Sequence, residues 1–231
     1  MAEGAQHFLD SFKDPAAVAR YTEGPRRFVP GLDGLHRMTG LLLAERVPED
    51  AHILVLGAGG GSELKAMAEA HPGWRFTGVD PAGPMLDLAA DVMGPNAHRA
   101  ELIEGYIDDA PAGPFDGATC LLTLHFLATE ERIRTATGIR RRLKPGAPFV
   151  AAHGSFPQGP DERDRWLDRY AAFAIASGGD PEQVAKGREA VATHVAMLSP
   201  EADVAVLRAA GFTDVEQFYA AFTWRGWVGY A

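Results

Sequence analysis

Cysteine is nearly missing from this chain. Cys120 is the single occurrence in 231 residues, which excludes an intrachain disulfide and a cysteine-rich zinc site. It stands inside an apolar run, where a small core residue is expected rather than a nucleophile. Positive charge is scarce as well: 22 Lys and Arg face 31 Asp and Glu, a formal net charge of −9. Broad nucleic-acid binding needs a basic face, so it is not expected, although a small anionic substrate in a local pocket stays compatible. No apolar stretch approaches the roughly 20 residues of a membrane span. Glu3 and Asp10 break the pattern of a secretory leader. The expectation is a cytoplasmic protein with no membrane association.

What is present is glycine in one telling place. Ile53-Leu54-Val55-Leu56 reads as a buried strand, and Gly57-Ala58-Gly59-Gly60-Gly61 then turns the chain into a helix at Ser62-Glu63. A Cβ would obstruct both the turn and the approach of a ligand to the backbone. The helix N-terminus adds free N–H groups and a positive dipole end. The spacing G-x-G-x-G differs from the dinucleotide pattern G-x-G-x-x-G, whose third glycine would fall at Ser62. That tilts the reading from NAD towards S-adenosylmethionine (SAM). Arg75–Asp80 reads as a second strand ending in a carboxylate about twenty residues on, where an acid reaches ribose hydroxyls. Asp80-Pro81 is also a common helix entry, so a capping role stays open for Asp80.

With 46% hydrophobic residues the chain can bury one substantial core. From Ile53 to His153 strand and helix signals alternate, the pattern of a parallel sheet covered on both faces. Strands are expected at His52–Leu56, Phe76–Val79, Ala100–Glu104, Asp116–Thr123 and Phe149–Ala152. Helices are expected from Ser62 to Ala70, Pro84 to Val92 and Thr129 to Leu143, the last ending at Lys144-Pro145-Gly146. The division is a single domain over 1–231. Residues 1–48 form an N-terminal helical cover broken at Gly24-Pro25 and Pro30-Gly31, and 49–156 form the nucleotide-binding core. Residues 157–198 form a helical lid broken at Ser177-Gly178-Gly179-Asp180-Pro181. Residues 199–231 form a C-terminal helix and the last two strands. Helical inserts beyond the carboxyl end of a sheet usually cover the ligand crevice.

The glycine loop, Asp80, Leu143-Lys144-Pro145-Gly146 and Ala210-Gly211-Phe212 together resemble the class I SAM-dependent methyltransferases, from about Tyr21 to the end of the chain. The resemblance implies a Rossmann-like α/β sheet, mostly parallel with the last strand antiparallel, helices on both faces and a helical lid. It also implies SAM as cofactor, held at the carboxyl ends of the strands with the acid on ribose. A narrower likeness is to the carboxy-SAM synthase branch, through Val29-Pro30-Gly31, Glu104-Gly105, Thr123-Leu124-His125-Phe126-Leu127 and the terminal Ala-Gly-Phe. Members of that branch convert SAM and prephenate into carboxy-SAM for tRNA wobble-uridine modification. Leu32, Tyr106 and Leu121 stand where that branch has tyrosine, aspartate and asparagine. Arg188 falls about where it has an arginine for the additional carboxylate.

The cofactor-binding candidates are therefore Gly57, Ala58, Gly59, Gly61, Asp80, Pro81, Tyr106, Ile107, Asp108, Leu121 and Leu122. His125 and His153 follow strands four and five and are the candidate catalytic groups, each with a packed histidine as the alternative. Arg26, beside Arg27, is a candidate substrate contact through bidentate geometry, with an exposed pair beside a loop as the alternative, and the carboxy-SAM synthase resemblance implies Arg188 as a second. Arg140-Arg141-Arg142 closes a helix, where cations complement the dipole. Phe222, Trp224 and Trp227 read as core along the last strand. Strand four is followed by no Asn-Pro-Pro-Tyr or Asp-Pro-Pro-Tyr, and no Pro-Cys pair occurs, so a small-molecule acceptor is expected. No metal site is expected, and homodimerisation stays open. The leading reading is methyl transfer to a small molecule; carboxy-SAM synthesis and a non-catalytic SAM-binding module are its alternatives.

Overall fold

The computed structural model describes residues 24–231 together with Leu9, Phe12 and Val18. The expected N-terminal cover is therefore seen from Gly24 onward. Its remaining positions, including Glu3, Asp10 and Tyr21, lie outside the described residues.

A central seven-stranded sheet organises the molecule, in the order β3-β2-β1-β4-β5-β7-β6. Its strands are β1 (His52–Leu56), β2 (Arg75–Asp80), β3 (Ala100–Glu104), β4 (Gly117–Leu121), β5 (Pro148–Gly154), β6 (Thr213–Ala221) and β7 (Trp224–Tyr230). β1 to β5 pair in parallel, whereas β7 runs antiparallel to both β5 and β6. Every residue of β4 and β5 is buried, as parallel strands covered on both faces require. Trp74, Phe76, Phe149 and Trp227 are each 2% exposed or less, and burying such side chains stabilises by about 1.5–3 kcal/mol apiece.

The described helices are α1 (Gly24–Phe28), α2 (Leu32–Ala44), α3 (Ser62–Ala70), α4 (Gly83–Met93), α5 (Thr129–Arg140), α6 (Pro160–Ala176), α7 (Pro181–His194) and α8 (Pro200–Ala209). Most boundaries expected from sequence fall within three residues of these. One break does not: Gly24-Pro25 opens α1, because proline is tolerated in a first helical turn, whose N–H groups have no partner within the helix. Pro30-Gly31 does separate α1 from α2, with Gly31 at φ 70°. The Ser177–Pro181 break separates α6 from α7, and Asp180 caps α7 by accepting the Gln183 amide. Arg142 meets the carbonyl of Gly138 in α5 and that of Ala110 in the loop after β3, binding the helix end to that loop.

The hairpin β6–β7 holds the N-terminal cover. Trp224 Nε1 donates to the Phe28 carbonyl at 2.8 Å, and the Tyr219 hydroxyl donates to the carbonyl of Pro30. Phe28 in turn stacks on Tyr170 of α6, with centroids 5.2 Å apart. These contacts bring cover and lid together above the carboxyl ends of the strands. Phe222 does not share the core role expected for it. It turns out at the hairpin tip with φ 48° and is 46% exposed.

Candidate functional site

The sheet order changes direction between β1 and β4, and a crevice opens at such switch points beyond the carboxyl ends of the strands. A cavity of about 740 Å³ lies there, within the usual range of ligand pockets of roughly 300–1,000 Å³. Its floor comes from the loops after β1 to β5, and its roof from α1, α6, α7 and the β6–β7 turn.

The glycine loop owes its shape to the backbone. Gly57, Gly59 and Gly61 all have positive φ (75°, 46° and 76°), the region that favours glycine. A Cβ on Gly57 would sit 2.0 Å from Thr123 Oγ1, so β1 and β4 approach each other here as only glycine permits. A Cβ on Gly61 would sit 2.6 Å from the Ala89 Cα of α4. The loop amides are engaged within the protein: Gly57 and Ala58 donate to the Val79 carbonyl, and Gly61 donates to the Ala58 carbonyl. Asp80 Oδ2 accepts the Gly59 amide and Oδ1 accepts the Ala82 amide, both at 2.9 Å. Asp80 thus supports the loop and also caps the entry to α4. Burial raises its pKa above the ordinary carboxylate value, against the two amides that lower it.

Of the residues expected from sequence, Gly57, Gly59, Asp80, Pro81, Tyr106, Ile107, Asp108, Leu121, Leu122 and His125 line this cavity. Ala58 and Gly61 lie behind its surface as parts of the loop. The N-terminus of α3 does not open into the cavity either; Ser62 faces a separate depression with Lys65 and Asp33. Tyr106 opens the short turn Ile107–Asp109, whose Asp109 accepts the Tyr106 amide at 2.7 Å.

The remaining candidates are not brought to the cavity. Arg26 pairs with Asp33 on the exposed face of the cover, since a nearby carboxylate satisfies its guanidinium. Arg188 is held on the lid by Asp164 (3.2 Å) and Asp168 (2.8 Å). His153 is 1% exposed, and its Nε2 lies 3.1 Å from Asp203 Oδ1. Asp203 also accepts from Arg132 Nη1 at 2.6 Å, both side chains being buried. Burial works against ionisation of Asp203, but the His153 imidazole and the Arg132 guanidinium hold its carboxyl below the ordinary range. His153 thus belongs to a buried ionic group behind the wall.

That group reaches the cavity through the backbone. Arg132 Nη2 donates to the His125 carbonyl at 3.3 Å and to the carbonyl of Ala196, so one guanidinium ties the turn after β4 to the segment returning from the lid. His125 Nδ1 accepts the Gly154 amide at 3.4 Å, which leaves Nε2 to carry the proton. The His125 ring meets Trp224 edge-on with centroids 5.5 Å apart. Burial, the neighbouring His153 and the Arg132 charge push its pKa well below the ordinary histidine value, so it is neutral at pH 7.

Several lining residues escaped sequence reasoning: Thr123, Phe156, Leu167, Tyr170, Met197 and Trp224. Trp224 was expected in the core, and it is buried, yet one side of it faces the cavity. Thr123 carried a signal, because it lies two residues beyond the end of the buried β4. The lid residues carried none, being ordinary apolar positions of amphipathic helices.

The residues at the carboxyl ends of β1 to β4 fit a nucleoside with an attached amino acid. The Asp80 oxygens each hold one amide and keep a second lone pair for ribose hydroxyls. Ile107, Leu121 and Leu122 offer apolar walls for a purine, with Asp108 beside them as an acceptor.

Comparison with known proteins agrees with this architecture. Residues 54–149 match the family model described as a methyltransferase domain. The chain is 28% identical over 226 residues to the carboxy-S-adenosyl-L-methionine synthase of Chromohalobacter salexigens, covering 94% of this chain and 82% of that protein. Among solved structures, PigF with SAH superposes with a TM-score of 0.69 at 20% identity, over 96% of this chain and 61% of that one. Human N-acetylserotonin methyltransferase in complex with SAM gives 0.64 at 15% identity, over 96% and 58%. The chain thus spans about three fifths of those two solved chains, and at these identities the likeness is one of fold. The chain is thus similar to methyltransferases, in sequence over residues 54–149 and in fold over most of its length, and its sequence is also similar to carboxy-SAM synthases.

Proposed function

We propose that this chain transfers the methyl group of SAM to a small-molecule acceptor enclosed beneath the helical lid. The observation that carries the reading is a single cavity shared by two surfaces: the loops after β1 to β4, and the inner faces of cover and lid. SAM supplies a methyl group on a sulfonium, which is electrophilic without assistance. Asp80 would accept from the ribose hydroxyls. Ile107, Leu121 and Leu122 would enclose the adenine, beside Tyr106 and Asp108. Gly57 and Gly59 would give the amino-acid portion access to the backbone. Cover and lid would exclude water and align the acceptor atom in line with the methyl group, and positioning of this kind supplies much of the acceleration. His125, neutral and carrying its proton on Nε2, would donate to an acceptor oxygen rather than remove a proton. In the same reading the protein works in the cytoplasm and takes no nucleic-acid partner, in keeping with its net charge of −9.

Calorimetric titration with S-adenosylhomocysteine tests the cofactor half of the reading. Saturable binding is the expected result, and no binding at about 1 mM would sink it. A second reading, carboxy-SAM synthesis, draws on the likeness to the Chromohalobacter salexigens synthase over 94% of this chain. Mass spectrometry of the nucleoside that co-purifies separates the two, because the carboxylated cofactor is heavier.

A further inference from the structure

The cavity has two chemically different ends. One, around Asp80, Asp108 and Asp109, is acidic. The other, beneath the lid, is walled by Phe28, Phe156, Leu167, Tyr170, Val195 and Met197. These come from four separate segments: α1, the turn after β5, α6, and the stretch after α7 that supplies both Val195 and Met197. An apolar wall gathered from dispersed segments is a chamber, not one helix face turned inward.

Charge makes the chamber selective. Arg134 is the one cation among the described lining residues; it sits on α5, which packs against the turn after β3, and it lies 3.8 Å from Glu131. The arginines of the lid and its anchors are committed elsewhere. Arg163 donates to the Gln158 side chain and the Ala192 carbonyl. Arg188 is paired with Asp164 and Asp168, and Arg225 donates to the carbonyls of Phe222 and Trp224. Arg132 is bound to Asp203. An acceptor carboxylate seated under the lid would therefore lose its hydration without gaining a guanidinium, within reach of the field of four lining acids.

We propose that the lid chamber takes an uncharged, largely apolar acceptor of aromatic size and selects against carboxylates. The inference rests on the proposed methyl transfer, since it assigns the acceptor end of that same cavity. Tyr170 fits the assignment: burial raises the pKa of its hydroxyl, so the group stays neutral and adds no charge to the chamber. Phe28, stacked on Tyr170, and Trp224, edge-on to His125, supply flat surfaces on opposite elements for a ring to lie against.

A matched pair of probes tests this on the full chain. With S-adenosylhomocysteine present at saturation, calorimetry compares 2-naphthol, neutral at pH 7, with 2-naphthoate, which is anionic. 2-Naphthol should bind about tenfold more tightly or better. Met197→Lys, which places an ammonium in the chamber at a half-buried position, should raise 2-naphthoate affinity and shrink that gap below about threefold. Equal or tighter binding of 2-naphthoate to the unaltered protein, no binding of either probe, or a gap unmoved by Met197→Lys would each overturn the proposal. The S-adenosylhomocysteine titration keeps the two readings apart. If S-adenosylhomocysteine binds and 2-naphthoate still wins, the chamber assignment falls while the cofactor half of the methyl-transfer reading stands; if S-adenosylhomocysteine does not bind, that underlying reading falls.

Discussion

Asp80 Oδ2 holds the Gly59 amide at 2.9 Å, joining the end of β2 to the middle of the glycine loop across 21 residues of sequence. The carboxylate thus preforms the loop before any ligand arrives, and it does so from a cavity wall where it would also meet ribose. Removing it should harm both roles. Asp80→Ala should weaken S-adenosylhomocysteine binding by about 10- to 100-fold, the loss of one or two charge-assisted hydrogen bonds. Asp80→Asn keeps one acceptor oxygen and should lose less. Isothermal calorimetry on both variants checks the order.

Two glycines with left-handed backbone, one before α2 and one in the glycine loop, should separate strain from collision. Gly31→Ala places a Cβ in open space at φ 70° and should cost about 1–2 kcal/mol, the left-handed penalty. Gly61→Ala carries the same penalty at φ 76° and also drives the new methyl to 2.6 Å from the Ala89 backbone. Urea unfolding should show Gly61→Ala less stable than Gly31→Ala by at least about 1 kcal/mol. Equal losses would mean that α4 yields freely at the loop.

Much of this was legible in the sequence, for a physical reason. Buried parallel strands such as Ile53–Leu56 are continuous apolar runs, and glycines that need positive φ mark the turn that follows, so local chemistry names both elements. Asp80 was legible because its partner loop has a recognisable spacing. Arg188 misled, because its fate depends on Asp164 and Asp168 across a helix pair, and spacing along the chain does not show which carboxylates will face it. His153 misled likewise: strand ends point to the crevice, but Asp203 arrives from α8, fifty residues later, and claims the imidazole. The chamber walls are tertiary facts of the same kind.

Glu63 offers a stability test with a definite sign. It is buried beneath the glycine loop, accepts from Thr119 Oγ1 at 2.5 Å, and burial raises its pKa from 4.5 to about 8. The folded state therefore keeps a proton that the unfolded state releases above pH 4.5. This contribution is full below about pH 4.5 and is lost as pH rises towards 8, with a slope of at most about 1.4 kcal/mol per pH unit. Glu63→Gln retains an acceptor for Thr119 and removes the titration. Relative to the unaltered chain, it should gain stability steadily between pH 5 and pH 8, measured by urea unfolding at each pH. A difference independent of pH would show that Glu63 ionises normally in the fold.

Arg132 should matter to the fold more than to any ligand contact. Its guanidinium neutralises Asp203 and also joins the His125 and Ala196 carbonyls, so removing it strands a buried carboxylate and loosens the lid's return segment together. Arg132→Met should destabilise by about 3–5 kcal/mol. Adding Asp203→Leu should restore part of that loss, since no buried charge is then left unpaired. Thermal unfolding of the single and double variants gives the comparison.

Arg188 decides between two assignments of the lid. Held by two exposed carboxylates of the neighbouring helix α6, it belongs to a surface ion pair, and such pairs contribute about 0–1 kcal/mol. Arg188→Ala should then leave S-adenosylhomocysteine binding within about twofold and lower stability by less than about 1 kcal/mol. In a carboxy-SAM synthase the arginine at this place would hold the additional carboxylate, and its loss would cost the charge-assisted bonds that distinguish the carboxylated cofactor, about tenfold or more. Titrating carboxy-SAM and SAM into both proteins reads the difference directly. An unchanged ratio of the two affinities in Arg188→Ala leaves the residue as a lid brace, whereas a collapse of carboxy-SAM affinity alone would mean that the lid opens and Arg188 turns inward to the cavity.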